Sequence, residues 1–305
     1  MNNNKSDFPL VSLLVANFNN GEFIIETLDS ALAQTYPNIE IVIIDDASRD
    51  NSVEIVQNFI EKNPDAKIVF LKNKINSGGC GGIKRQCIEQ GNGAFFAFLD
   101  PEDTIEPTAV EELMALHLAN ENKYSIVYST HYLCNSKLDI QSVTTWAGKI
   151  PDGQSHLTST GGHISAFALC NRSFYDKTEG INPTYAVAED MDLYLKMEET
   201  APVFYFDKPV YYYRKHDNNS SWSYEKRYNN LYWRHAAETA AYERRKKNKT
   251  QAQNLSCVQL HRKKFTFNMQ YAKFLRMQKC YFKSILYNIK SLPYFYTLIL
   301  KNNLL

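Results

Sequence analysis

The sequence predicts an α/β domain: a mainly parallel sheet flanked by helices, followed by a basic helical C-terminal region. Three observations carry that prediction. Short β-branched runs alternate with helical stretches of about 10–14 residues through the first hundred positions. Three of the runs end in polar or acidic residues, as expected where strand ends face a ligand. Charge is also divided, because 17 Lys and Arg against 3 Asp and Glu follow Trp222, a net of +14, which leaves −13 on residues 1–222. At 305 residues and 44% hydrophobic, the chain can bury a full core.

The elements follow in order. "LVSLLVA" (10–16) reads as a buried strand that stops at polar "NFNNG". "EFIIETLDSALAQ" sets Phe23, Thr27, Leu28, Ala31 and Leu32 at helical spacing. "IEIVIIDDAS" is a strand ending at Asp45-Asp46, and "NSVEIVQNFIEKN" is a helix with Asn51 as N-cap and Glu54 three residues on. "KIVFLKN" is a third strand. A glycine-rich loop, "NSGGCGG", opens a helix to about Gln90, and "AFFAFLD" is strand four. Beyond Tyr124, strands are expected at "YSIVYST", "ISAFALC", "PVFYF" and "PVYYYR", with a helix at "EDMDLYLKMEE". Residues 146–163 read as a long flexible loop of the kind that lines an acceptor site.

The chemistry lies at the strand ends. Asp100, Glu102, Asp103 and Glu106 crowd the turn after strand four, which suits a hard divalent ion or a solvated, capping turn. Asp45-Asp46 and Glu189-Asp190 pose the same choice between a site and helix capping. The loop "NSGGCGGIKR" could offer backbone N–H groups and cations to phosphate, although it lacks the G-x-x-x-x-G-K-[ST] pattern.

In combination and in this order, these blocks resemble the family 2 glycosyltransferases over about residues 8–222. "PLVSLLVANFNNGEFIIETLDSALAQTYPNIEIVIIDDASRDNS" is similar to that family's opening strand–helix–strand. "GAFFAFLDPED" stands where the family carries its acidic metal motif, "AEDMDLYLKM" resembles its E-D motif, and "PVYYYRKH" the strand and basic turn that follow. The resemblance implies the GT-A nucleotide-sugar-binding fold. It implies that Asp46 pairs with the nucleotide base, typically uracil, in a pocket lined by Ala16 and Phe18. Asp100 would approach the ribose and the metal, and Glu102 would be a ligand of Mg²⁺ or Mn²⁺. Asp190, beside Glu189, would be the catalytic base. Arg214 and His216 would sit near the diphosphate, with His216 either a further metal ligand or a surface histidine. Three departures stand out: Ala16-Asn17 replaces the usual Pro-Thr, Lys84-Arg85 replaces Arg-Asn, and Glu102 replaces Asp.

The implied activity is metal-dependent, inverting transfer of a sugar from a nucleotide-sugar donor to a glycan or lipid-linked glycan, as in polysaccharide biosynthesis. Two rivals stay open: an inactive glycosyltransferase-like scaffold at the membrane surface, and a sugar nucleotidyltransferase. The latter's phosphate loop should follow strand one, where "NFNNGEF" stands instead. Residues 1–222 are expected to form the transferase domain and 223–305 a basic helical extension. That extension would lie on an anionic membrane surface, on the acidic body, or on a second subunit as a homodimer. Nucleic acid is not expected, for want of a motif. Six cysteines without C-x-x-C spacing read as free thiols. With no leader-like N-terminus and no membrane-length apolar run, the expected location is cytoplasmic, peripheral on the inner face of the plasma membrane.

Overall fold

The computed structural model describes residues 8–216, 224–248, 257–277 and 279–302. Its first third follows the expected alternation: β1 (Val11–Asn17), α1 (Ile24–Leu32), β2 (Ile39–Asp45), α2 (Ser52–Lys62), β3 (Ile68–Lys72), α3 (Cys80–Gln90) and β4 (Phe95–Phe98). Then come β5 (Thr104–Ile105), α4 (Ala109–Ala119), β6 (Ile126–Ser129), β7 (Tyr132–Cys134), β8 (Ile140–Val143), β9 (Ala168–Asn171) and α5 (Arg172–Tyr175). The series ends with α6 (Glu189–Glu198), β10 (Val203–Phe206), β11 (Tyr211–Arg214), α7 (Tyr224–Asn248), α8 (Cys257–Met277) and α9 (Tyr281–Asn302).

A seven-stranded sheet runs β10-β6-β9-β4-β1-β2-β3, parallel except at β9, which is antiparallel to both neighbours. β1 sits where the chain order reverses, with β2 on one side and β4 on the other, so the crevice beyond their carboxyl ends is the expected ligand position. Both faces are covered. Val11, Leu13 and Val15 pack with residues of α1, α2 and α4, while Leu14 packs with Ile83, Cys87 and Leu193 of α3 and α6. A strand buried on both faces reads as a continuous apolar run, as "VSLLVA" does.

A second sheet, β5-β11-β7-β8, folds the acidic turn after β4 against the basic turn after β11. The sequence pattern misses β5, β7 and β8. β5 has two residues, and all four residues of β8 are exposed, so no alternation marks it. The Asn51 cap is also displaced. Asn51 makes no side-chain cap bond, and Asp50 instead accepts from the Ser52 N–H at 3.0 Å and the Gly21 N–H at 2.9 Å.

Residues 146–163 are irregular as expected, but they pack closely. Gly148 N–H donates to the His163 carbonyl at 3.2 Å, and His163 N–H donates to the Trp146 carbonyl at 3.1 Å. Ser155, His156, Leu157 and Thr158 are buried, and His156 N–H donates to Glu198 Oε1 at 2.7 Å.

The basic region meets the acidic body at α7. Ala237, Ala241 and Trp233 pack on Leu157, Tyr185, Met191 and Leu195. Arg245, fully buried, bonds Glu198 at 2.7 Å, and Arg244 bonds Glu199 at 2.9 Å. The stretch "FTFNMQYAKFLRMQKCYFKSILYNIK" divides between α8 and α9 because Lys279 adopts φ 57°. Lys279 N–H then bonds the Arg276 carbonyl and Cys280 N–H the Leu275 carbonyl, the pairing of a Schellman cap. Among the described residues no helix is long and apolar enough to cross a membrane. Cys80, Cys87, Cys134, Cys170 and Cys280 are free thiols.

Candidate active site

The rim over β1 and β2 is knit from polar residues. Asn17 Nδ2 donates to Asp45 Oδ2 at 2.7 Å, and Ser48 N–H donates to Asp45 Oδ1 at 2.9 Å. Asn19 N–H reaches Ser48 Oγ at 2.8 Å, and Arg49 N–H reaches Asn19 Oδ1 at 2.8 Å. Ala16 is partly covered, and Phe18 stands 44% exposed on the rim. Asp46 is buried, and its carboxylate accepts from Asn73 Nδ2 at 2.7 Å, from Ser77 Oγ at 2.7 Å and from Ser77 N–H at 3.0 Å. The acid that the resemblance gives to the base therefore also fastens the 73–77 loop. Ala47 and Ala188 both take left-handed backbone, with φ 62° and 61°, just past β2 and just before α6. Such strain in a residue with a Cβ persists only where the surroundings enforce it, and it clusters at functional sites.

The acids after β4 do not share one environment. Asp100 accepts a salt bridge from Lys84 Nζ at 3.1 Å. Asp103 is fully buried and receives the Tyr211 hydroxyl at 2.6 Å and the Arg214 N–H at 2.7 Å. Glu106 receives the Tyr212 hydroxyl. Burial, with Asp100 nearby, pushes the Asp103 carboxyl well above its ordinary range, and its two hydrogen bonds pull it back only in part. Asp103 thus pins the turn to β11. Asp103→Ala leaves two buried donors unsatisfied and destabilises the fold by about 2–5 kcal/mol, read by urea unfolding. Asp103→Asn preserves the shape and is nearly neutral at pH 7. Because the folded chain holds the Asp103 proton more tightly than the unfolded chain, that stabilisation is full below about pH 4 and declines as pH rises through the folded value. The Asn variant lacks this decline.

Two N–H groups of the glycine loop close on the backbone of residues 185 and 186. Cys80 N–H donates to the Ala186 carbonyl at 3.0 Å and Gly81 N–H to the Tyr185 carbonyl at 2.9 Å. A Cβ on Gly79 would come within 2.5 Å of Ala186 Cα, and one on Gly81 within 2.4 Å of the Asn182 carbonyl. The glycines let two backbones touch, and this contact carries Lys84, one turn into α3, to the start of α6. There Lys84 Nζ lies 2.9 Å from Glu189 Oε1 while also holding Asp100. Burial alone would lower the Lys84 pKa, but Asp100 and Glu189 raise it well above its ordinary value, so the ammonium stays charged. Burial pushes the Glu189 carboxyl up, against the pull of Lys84. The preceding sequence signal, "GGIKR", shows a cation but not its partners.

Asp190, next to buried Glu189, is exposed at the first turn of α6, and its Oδ1 accepts from the Met191 N–H at 2.7 Å. The positive end of the helix favours a carboxylate there.

Glu102 and His216 meet: His216 Nε2 lies 3.1 Å from Glu102 Oε2, with the imidazole against Phe23. Arg214, expected near the diphosphate, is 1% exposed. Its guanidinium donates to the Glu102 carbonyl, the Ser136 carbonyl and Glu26 Oε2, each at 2.7 Å, and lies over the Phe23 ring. It braces the turn that carries Glu102. Among the described residues no three His, Cys, Asp or Glu side chains form a metal-holding cluster. The Glu102 carboxylate is nevertheless a fitting donor for Mg²⁺ or Mn²⁺, which complete their shell with phosphate oxygens and water, and the imidazole nitrogen beside it suits Mn²⁺ better than Mg²⁺.

Residues 12–178 match the family model described as glycosyl transferase family 2. The Escherichia coli chondroitin synthase is 27% identical over 219 residues, 70% of this chain and 30% of that protein. The chain spans between about a fifth and two fifths of the length of the curated relatives it matches. Among solved structures, Staphylococcus aureus TarS 1-349 in complex with UDP superposes with a TM-score of 0.58 at 19% identity, over 88% of this chain and 72% of that one. The mannosyltransferase PcManGT from Pyrobaculum calidifontis, in complex with GDP-Man and Mn²⁺, gives 0.57 at 14% identity, over 95% and 88%. At these identities the two structures show a shared GT-A fold.

Proposed function

The chain belongs to glycosyl transferase family 2 and is a glycosyltransferase, and on that premise we propose that it moves a sugar from a UDP-linked donor to an acceptor hydroxyl with inversion. The observation that carries this reading is the exposed Asp190 carboxylate, set on α6 beside the Glu189–Lys84–Asp100 bridge. The UDP complex of TarS supports a uridine donor, and the Mn²⁺ complex of PcManGT supports a divalent ion.

Asp190 takes the proton of the acceptor hydroxyl as that oxygen attacks the anomeric carbon. The bond from that carbon to the diphosphate oxygen breaks, and the nucleoside diphosphate departs with the electron pair. Phe18 offers an exposed ring for the base, and Asp46 reaches the base imide where Ser77 gives way. Lys84 holds Asp100 toward the ribose. Glu102 and His216 would hold the ion, whose charge offsets that developing on the diphosphate. The acceptor is a glycan or a lipid-linked glycan, and a peripheral place on the inner face of the plasma membrane suits it.

Release of UDP from a panel of UDP-sugars, with and without Mg²⁺ and Mn²⁺, tests the reading. Pyrophosphate formation would instead indicate a nucleotidyltransferase, and no turnover with any donor an inactive scaffold. In the same assay Glu102→Gln and His216→Ala each raise the half-saturating Mn²⁺ concentration by about 10–100-fold or more. An unchanged metal requirement would remove the pair as ligands.

A further inference from the structure

The α8–α9 hairpin has two unlike faces. Ser284 Oγ donates to the Ala272 carbonyl at 2.8 Å, Ser291 meets Met269, and Tyr287 lies 4.8 Å from the Tyr271 ring, so one side of α9 seats on α8. The opposite side carries Phe282, Ile285, Leu286, Ile289 and Leu292, between 42% and 75% exposed. Their spacing of three and four residues places them in a single stripe. Isolated exposed apolar residues are ordinary, but a continuous stripe marks an interaction surface.

Its surroundings indicate the partner. Lys283 and Lys290 are exposed along one edge of the stripe, and Lys273 and Arg276 are exposed on α8. From Arg244 to Leu305 the sequence holds 14 Lys and Arg and no Asp or Glu. A second copy of this hairpin would bring like charges together without an acid to offset them. An anionic bilayer accepts both features, the apolar face between acyl chains and the cations among headgroups. We propose that the outer face of α9 docks in the plane of an anionic membrane surface, with Lys283 and Lys290 at the headgroups. The inference deepens the peripheral location given above and is independent of sugar transfer, since binding is read without donor or acceptor.

Flotation of the full chain with vesicles tests it, using phosphatidylcholine containing about 30% phosphatidylglycerol, against phosphatidylcholine alone. The wild-type chain is expected to float with the first and to partition at least tenfold more weakly into the second. Ile285→Asp/Ile289→Asp and Lys283→Glu/Lys290→Glu each lower partitioning at least tenfold, with circular dichroism and the basal rate of UDP release unchanged. The second variant also shows a weaker salt dependence than the wild-type chain. Equal partitioning of the Asp variant would overturn the proposal. So would a wild-type dimer in sedimentation velocity that the Asp variant dissociates, with no flotation of either, which would assign the face to a second copy.

Discussion

Asn in place of Asp190 lowers the rate of sugar transfer by about 10²–10⁴-fold while donor binding persists, the range set by loss of a positioned base. The substitution is local. Asn retains an oxygen for the Met191 N–H, so the α6 start stays capped, and an exposed change of this kind alters stability by about 0.5 kcal/mol or less. UDP-release rates and calorimetric donor affinity separate the two effects. A fully active Asn variant would remove Asp190 as the base, and lost donor binding would assign it to substrate recognition.

Lys84→Met carries the second large effect, on stability as well as turnover. The ammonium stands between two carboxylates, one of them buried, and its removal leaves the buried Glu189 carboxylate beside like-charged Asp190 without its cation. Breaking a buried ion pair in this way costs about 3–5 kcal/mol, most of it at Glu189, since Asp100 is well solvated. Urea unfolding measures the loss. Lys84→Met/Glu189→Gln removes the stranded charge and recovers part of it, so the double-mutant cycle is non-additive. Strict additivity would mean that Lys84 and Glu189 do not couple. The sign with pH is fixed by the raised Lys84 pKa: the stabilisation is full below about 10.4 and is lost only as pH climbs through the higher folded value.

The acidic turn shows how far a sequence reading reaches. Four acids in seven positions read as one cluster awaiting one cation. In the fold each has its own partner: Lys84 for Asp100, His216 for Glu102, Tyr211 for Asp103 and Tyr212 for Glu106. The four carboxylates are thus held one by one, although Asp100 and Glu102 still push the Asp103 carboxyl up. The glycine loop was likewise legible as a loop, though its use was not. The N–H groups of Cys80 and Gly81 close onto residues 186 and 185, a contact between segments a hundred residues apart. Arg214 stood out in sequence beside His216, but its contacts with Glu102, Ser136, Glu26 and the Phe23 ring were not legible there.

Local patterns along the chain specify the alternation of β1 through β4 with their helices, the family's motifs, and the separation of an acidic body from a basic tail. These are properties of short windows: hydrophobic period, turn residues and local charge. Tertiary structure decided which carboxylate is buried, paired or open. Asp103 meets Tyr211 across 108 positions, and Lys84 reaches Glu189 only because glycines 79 and 81 admit the 182–186 backbone. It also decided which side of α9 faces α8 and which is left exposed. Charge state and access follow from neighbours in space, and those neighbours lie beyond the reach of any local pattern.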